Sequence, residues 1–258
     1  MNVLTFDIET VPDVEHGRRF LGLGDLDDVA VAKAMQALAR QRRGEDFLPL
    51  QQHRIVAIAC ALRRGENLTV WSLGETDSSE AQLVQRFFDG LERYCPDLVS
   101  WNGGGFDLPV LHYRALRNGV VAARYWETGD EDKSFRYNNY LGRFHWRHID
   151  LMDVLSGYQA RARASLDEIA TLVGLPGKLG MTGADVWPRY LAGDLRAIRQ
   201  YCETDVLNTY LVYLHFERMR GRLTPAQHGQ EIERARQFLQ ASDGPHWQEY
   251  LAAWDSTN

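Results

Sequence analysis

Apolar residues along this chain fall into short blocks and helical stripes whose order predicts an α/β fold. The opening Val3-Leu4-Thr5-Phe6 is short, apolar and partly β-branched, and runs straight into Asp-Ile-Glu-Thr, the pattern of a buried strand as it surfaces. On an extended segment Asp7 and Glu9 lie two apart and share one face. Residues 29–45 have helical composition, and residues 54–62 (RIVAIACAL) read as a central strand. Residues 68–73 follow as its hairpin partner across a turn containing Gly65.

Residues 80–94 place Leu83, Val84, Phe87, Phe88 and Leu91 at helical spacing, and residues 97–101 form a short strand entering Asn102 and three glycines. A helix is expected to begin near Pro109, carrying Val110, Leu111, Tyr113 and Leu116. Residues 129–146 are polar and aromatic without a period, which predicts a loop or irregular strand. Ser165-Leu166-Asp167-Glu168 is a capping box, and Gly174 is placed to end the short helix it opens. The last strong element starts after the N-cap Asp194 and runs to about Gly221, with Tyr201 and Asp205 projecting from one face. Helical composition continues to the end, so we expect one domain over residues 1–220 and a C-terminal helical extension over 221–258.

Composition narrows the function classes. A chain of 258 residues, 45% hydrophobic and 25% charged, can bury a large core. No apolar run approaches the length of a membrane span and the N-terminus has no basic leader, so a cytoplasmic protein with no membrane association is expected. Cys60, Cys95 and Cys202 are odd in number and form no CxxC pair, which fits reduced thiols. A net charge of −6 argues against a broad basic footprint on duplex nucleic acid. It is compatible with a nuclease, because cations at an acidic pocket can supply the positive charge that a phosphodiester needs. Arg40, Arg42 and Arg43, and Arg218, Arg220 and Arg222, read as solvated helix faces or as contacts to backbone phosphates.

The candidate chemistry rests on order and setting. A D-x-E pattern is expected roughly once by chance in a chain of this composition and a Y-x-x-x-D nearly once, so neither counts alone. Here D-x-E-T ends the first strand, N-x-x-x-x-D spans a strand-to-helix loop, and Y-x-x-x-D lies inside a late helix. Four carboxylates converging on one site would repel one another unless cations neutralised them, and hard oxygen ligands favour Mg²⁺ or Mn²⁺. Two such ions about 3.5–4 Å apart can activate water and stabilise a leaving oxygen at phosphorus.

FDIET, WNGGGFDLPVL and YCETDVLNTY resemble, in order, the three exonuclease motifs of the DEDD (DnaQ-like) superfamily. In detail they are similar to the proofreading exonuclease of B-family DNA polymerases and to the stand-alone bacterial PolB-like exonucleases. The resemblance covers about the first 215 residues and implies an RNase H-like mixed five-stranded sheet flanked by helices. It implies that Asp7, Glu9, Asp107 and Asp205 hold two divalent cations, Mg²⁺ or Mn²⁺. The tyrosine four before the last aspartate marks the DEDDy branch, since the position of the alternative histidine is Gln200 here. Tyr201, a poor general base at neutral pH, would orient the attacking water. Asn102 matches a position that contacts the substrate strand, and Ile8, Thr10 and Phe106 match positions lining the terminal nucleotide. The implied substrate is a nucleic acid 3′ end, single-stranded DNA ahead of RNA.

Other readings stay open from the residues alone. Asp150 could support the metal shell or be an ordinary strand-end acid, and His145 and His148 could be a metal pair or loop histidines. FDIET also brings to mind the haloacid-dehalogenase phosphatase signature D-x-D-x-T, with Glu9 where the second Asp belongs. A catalytically silent nucleic-acid-binding module is the non-enzymatic alternative.

Overall fold

The computed structural model describes residues 1–256. Its sheet has five strands in the order β3-β2-β1-β4-β5. These are β1 (Asn2–Pro12), β2 (His53–Arg64), β3 (Asn67–Ser72), β4 (Asp97–Ser100) and β5 (His148–Asp150). The β2 and β3 strands run antiparallel as a hairpin onto β1, and β4 and β5 run parallel to it. This is the mixed five-stranded, RNase H-like α/β architecture implied by the motifs. Two helices precede β2: α1 (Val14–Leu21) and α2 (Asp28–Arg43). They lean together over a small core of Val31, Met35, Ala39 and Leu48.

Alternation along β1 divides the core. Leu4, Phe6 and Ile8 join Ile55, Ile58 and Cys60 of β2 on one face, beneath α3 (Glu80–Tyr94) and α4 (Asp107–Asn118). Val3 and Val11 join Ala57, Ala59 and Ala61 on the other. There the alanines leave room for a long helix to lie close to the sheet. After α5 (Ala123–Trp126), α6 (Leu151–Leu155), α7 (Leu166–Leu172) and α8 (Val186–Leu191), that helix is α9 (Leu195–Met219). It is buried on most sides because α10 (Pro225–Ala241) and α11 (Pro245–Ser256) pack against it from outside. The β1–β2 ladder slips once, from Glu9↔Ala57 to Thr10↔Ile55, leaving Val56 as an extra residue. This β-bulge puts Val56 and Ala57 on the same α9-facing side.

Local signals act as their chemistry requires. Ser165 accepts from Glu168 N while the Glu168 carboxylate caps Ser165 in return, and Gly174 follows α7 at φ +79°. Asp194 caps α9 through Ala197 N. Residues 129–146 hold one 3₁₀ turn, Lys133–Phe135, and are otherwise irregular. Two elements differ from expectation. The β1 strand continues to Pro12, because β2 is long enough to pair with it throughout, and α4 starts at Asp107, two residues before Pro109. Among the described residues no helix is long and apolar enough to cross a membrane.

Candidate active site

The cleft exists because β1 outruns its parallel neighbour. Pairing of β1 with β4 stops at Thr5↔Val99, so the segment bearing Asp7, Ile8 and Glu9 projects beyond the ladder. The Ile8 N–H donates instead to Asp107 Oδ1 at 3.1 Å. That contact needs α4 to begin at Asp107, and the preceding loop arranges it. Asn102 adopts φ +63°, and its carbonyl accepts from Gly105 N and Phe106 N, each at 2.9 Å. A Cβ at Gly103 would lie 2.2 Å from Ser100 Oγ, so this position admits only glycine without movement of the strand end. Asp150, at the end of β5, accepts from Asn102 N and Gly104 N, both at 2.9 Å. Its carboxylate is therefore occupied in holding the glycine loop.

From the opposite side, α9 presents Tyr201, Cys202 and Asp205 across the small-residue face of the sheet. Asp7, Glu9, Asp107 and Asp205 thus line one cleft of about 310 Å³, together with Tyr201 and Lys178. Ile8, Asn102 and Phe106 line it too. Sequence reasoning missed Lys178, which lies in the loop after α7. Its Nζ donates to the Tyr201 hydroxyl at 2.6 Å and stands 3.6 Å from Asp205 Oδ2.

Four acids face one ammonium here. Burial, then the like charges of Asp107 and Asp205, raise the Asp7 carboxyl well above the ordinary range. Burial followed by Asp7 does the same to Glu9. Asp107 is pushed up to about 7, chiefly by burial and against the hydrogen bond from Ile8. Asp205 is also raised by burial, with Lys178 opposing the shift. Tyr201 is raised by burial and by the acids around it, which keeps its phenol protonated.

The donor set fits a hard divalent cation. Asp205 Oδ1 is buried without a hydrogen-bond partner. Ligand atoms of Asp7, Glu9 and Cys202 lie within 4.8 Å of one another. The Cys202 thiol reaches the Asp7 carbonyl and Oδ2, each at 3.4 Å, as a weak donor beneath the carboxylate. Positive charge placed among these oxygens would relieve both the repulsion and the unsatisfied acceptor.

The remaining expected residues are placed differently. Thr10 does not line the cleft; its hydroxyl pairs with His53 Nδ1 at 2.9 Å. His53 in turn meets Phe106 edge-on at 5.2 Å, and Phe47, 51% exposed, lies 5.6 Å from the Phe106 ring. Phe47 and His53 were invisible to motif reading because Phe47 sits before β2 in a stretch without periodicity and His53 is the first residue of that strand. His148 is buried against Ser100 Oγ at 2.9 Å and His145 pairs with Asn139, so each histidine has its own partner. Arg40 is paired with Asp46, Arg43 with Glu45 and Arg220 with Glu217. A larger cavity of about 490 Å³ lies behind the glycine loop, but its Arg143 and Arg163 are both engaged by Asp153.

A segment of 43 residues, 17% of the chain, is 46% identical to DNA polymerase 1 of Sulfurisphaera ohwakuensis, and it covers 5% of that polymerase. A family model described as a predicted 3′-5′ exonuclease related to the exonuclease domain of PolB matches residues 45–254, a span that contains Asp107, Lys178, Tyr201 and Asp205 and leaves β1 outside. The chain belongs to this family of predicted exonucleases related to the exonuclease domain of PolB.

Proposed function

We propose that this protein is a 3′→5′ exonuclease that hydrolyses phosphodiester bonds from the 3′ end of single-stranded DNA, using two Mg²⁺ or Mn²⁺ ions. The observation that carries the reading is the meeting in one cleft of acids from three separate elements: Asp7 and Glu9 of β1, Asp107 of α4 and Asp205 of α9. These four side chains would hold the ions. When bound, the ions supply Lewis-acid activation of water and neutralise charge on the phosphoryl oxygens.

The chain's own groups do the rest. In the reaction a water oxygen bonds to phosphorus as the bond from phosphorus to the penultimate O3′ breaks. The water gives its proton to solvent, the departing O3′ takes one up, and a nucleoside 5′-monophosphate leaves. Tyr201, protonated, orients that water by hydrogen bonding. Lys178 fixes the Tyr201 hydroxyl and offsets charge at Asp205. Ile8 and Phe106 offer apolar faces that accept any base, and Asn102 contacts the strand. Residues 1–220 carry this chemistry, and the C-terminal extension from 221 onward includes the appended helical pair of α10 and α11. The free thiols of Cys60, Cys95 and Cys202 support a reducing, cytoplasmic setting.

The test is single-turnover digestion of end-labelled single-stranded DNA and RNA of one sequence, with Mg²⁺, Mn²⁺ or chelator, alongside Asp7→Ala and Asp205→Ala. The reading requires a metal-dependent ladder that shortens from the 3′ end, is faster on DNA and is lost in both variants. Faster shortening of RNA would reassign the polymer. A phospho-enzyme trapped on Asp7 would replace the reading with a phosphatase, and binding without cleavage would leave a silent nucleic-acid-binding module.

A further inference from the structure

The C-terminal helix reaches the cleft through a continuous chain of hydrogen bonds. Tyr250 of α11, fully buried, donates its hydroxyl to Asn208 Oδ1 at 2.6 Å. Asn208, 1% exposed, donates from Nδ2 to the carbonyl of Gly177 at 2.9 Å. The next residue is Lys178, whose own N–H is held by Asp167 Oδ1 at 2.7 Å. Its Nζ completes the chain at the Tyr201 hydroxyl. Both ends of the Gly177–Lys178 peptide unit and its flank are thus pinned, one side by α7 and the other by α9 and α11.

Sequence and backbone agree with that role. Tyr201, Asp205 and Asn208 stand at i, i+4 and i+7 on α9, so one stripe of the helix carries the cleft residues and the loop holder together. Gly177 has φ +70°, and a Cβ there would lie 2.4 Å from Asp167 Oδ1, so the loop takes this close approach only with glycine. Asn208 is a buried amide that satisfies its donor and its acceptor in this one arrangement.

We propose that Tyr250 and Asn208 are positioning residues of the candidate active site, through which α11 fixes the Gly177–Lys178 loop and so sets where the Lys178 ammonium stands against Tyr201 and Asp205. The proposal rests on the exonuclease reading for its consequence and on geometry for its substance. The helical pair at the C-terminus is then chemically coupled to the cleft although it supplies no side chain to it.

The chain has only three lysines, and Lys33 and Lys133 are exposed, so they serve as internal controls for amine modification. Intact Tyr250→Phe and Asn208→Ala proteins are treated with an acetylating reagent, and the rate at each lysine is read by mass spectrometry. Tyr250→Phe removes one hydroxyl and leaves α11 docked, since His246 still pairs with Glu203 at 2.9 Å and Trp247 and Trp254 stay buried. We expect Lys178 to react several-fold faster in both variants, with Lys33 and Lys133 unchanged. In strand digestion we expect kcat to fall about tenfold and KM to stay within about twofold. Introduced into Lys178→Ala protein, Tyr250→Phe should cost nothing further. An unchanged Lys178 rate, or an equal loss of kcat with and without Lys178, overturns the proposal. If the unmutated protein cleaves no strand while the Lys178 rate still responds, the relay stands and the exonuclease reading is what falls.

Discussion

Lys178 and Tyr201 are 23 residues apart and lie on different elements, yet the ammonium of one donates to the hydroxyl of the other at 2.6 Å. The contact ties the loop after α7 to the stripe of α9 that carries Asp205. Tyr201→Phe should therefore lower kcat by about ten- to a hundredfold with little change in KM. Lys178→Ala should lower kcat similarly, but it also removes the one cation among four acids. Calorimetric titration of Lys178→Ala with Mn²⁺ should show affinity equal to or tighter than that of the unmutated protein. Weaker Mn²⁺ binding would mean that Lys178 shapes the acid cluster rather than the reaction.

Asp107 ties stability to pH in the metal-free protein. Its carboxyl lies at about 7 in the fold against 3.8 for the free side chain. Below about 3.8 both states hold the proton. Between 3.8 and 7 the unfolded chain releases it while the folded chain keeps it, so stability falls as pH rises and levels off above 7. The cost is at most about 4 kcal/mol. Asp107→Asn keeps an oxygen for the Ile8 N–H and abolishes the titration. With chelator present, the melting temperature of Asp107→Asn should pull ahead of the unmutated protein as pH rises from 4 to 7. Parallel curves would remove this account of the cluster.

Phe47 should matter to substrate and not to folding. It is half exposed and its ring stands 5.6 Å from Phe106, so a base held by Phe106 has a second aromatic face within reach. Base stacking on an aromatic is worth about 1–3 kcal/mol. Phe47→Ala is expected to raise KM for single strands about tenfold, with kcat and melting temperature nearly unchanged; a kcat effect alone would contradict it.

Arg114 of α4 is expected to be the opposite case. It is 4% exposed in its side chain and binds Asp13 at 2.5 Å and Glu80 through two nitrogens. Glu80 also accepts from Ile55 N at 2.7 Å, and Asp13 from His16 N at 3.0 Å. Removing the guanidinium leaves two buried acids without their partner. Arg114→Ala should cost about 3–5 kcal/mol in urea unfolding, far more than a surface arginine. A loss under about 1 kcal/mol would show that water replaces it.

Most of the fold was legible because its elements obey simple periods. The hairpin of β2 and β3, the stripe of α3 and the caps of α7 and α9 appear where apolar spacing and Ser165 or Asp194 put them. The start of α4 was not, because Pro109 marks a helix's first turn while the true start depends on the φ +63° of Asn102 and on Asp150 reaching in from β5. Lys178 and Phe47 were missed for a related reason. Each lies in a loop with no period, and its meaning comes only from what α9 or Phe106 brings beside it. The pattern -Leu-Pro-Gly-Lys- after a capped helix offers a turn signal but says nothing of where the lysine points.

The bulge at Val56 gives the second strand two halves of opposite parity. Because Val56 and Ala57 share a face, Ile55 and Ile58 stand together on the other although three apart, and His53 follows Ile55. Without Val56 the strand would alternate plainly from His53 through Ile55 and Ala57 to Ile58, and every side chain would keep its face. With the bulge kept, a second extra residue at this joint would instead turn Ile55 toward α9 and carry His53 away from Thr10 and Phe106, while every side chain beyond Ala57 kept its place. Directly opposite Glu9, the strand can give up its spare residue more safely than it can take another.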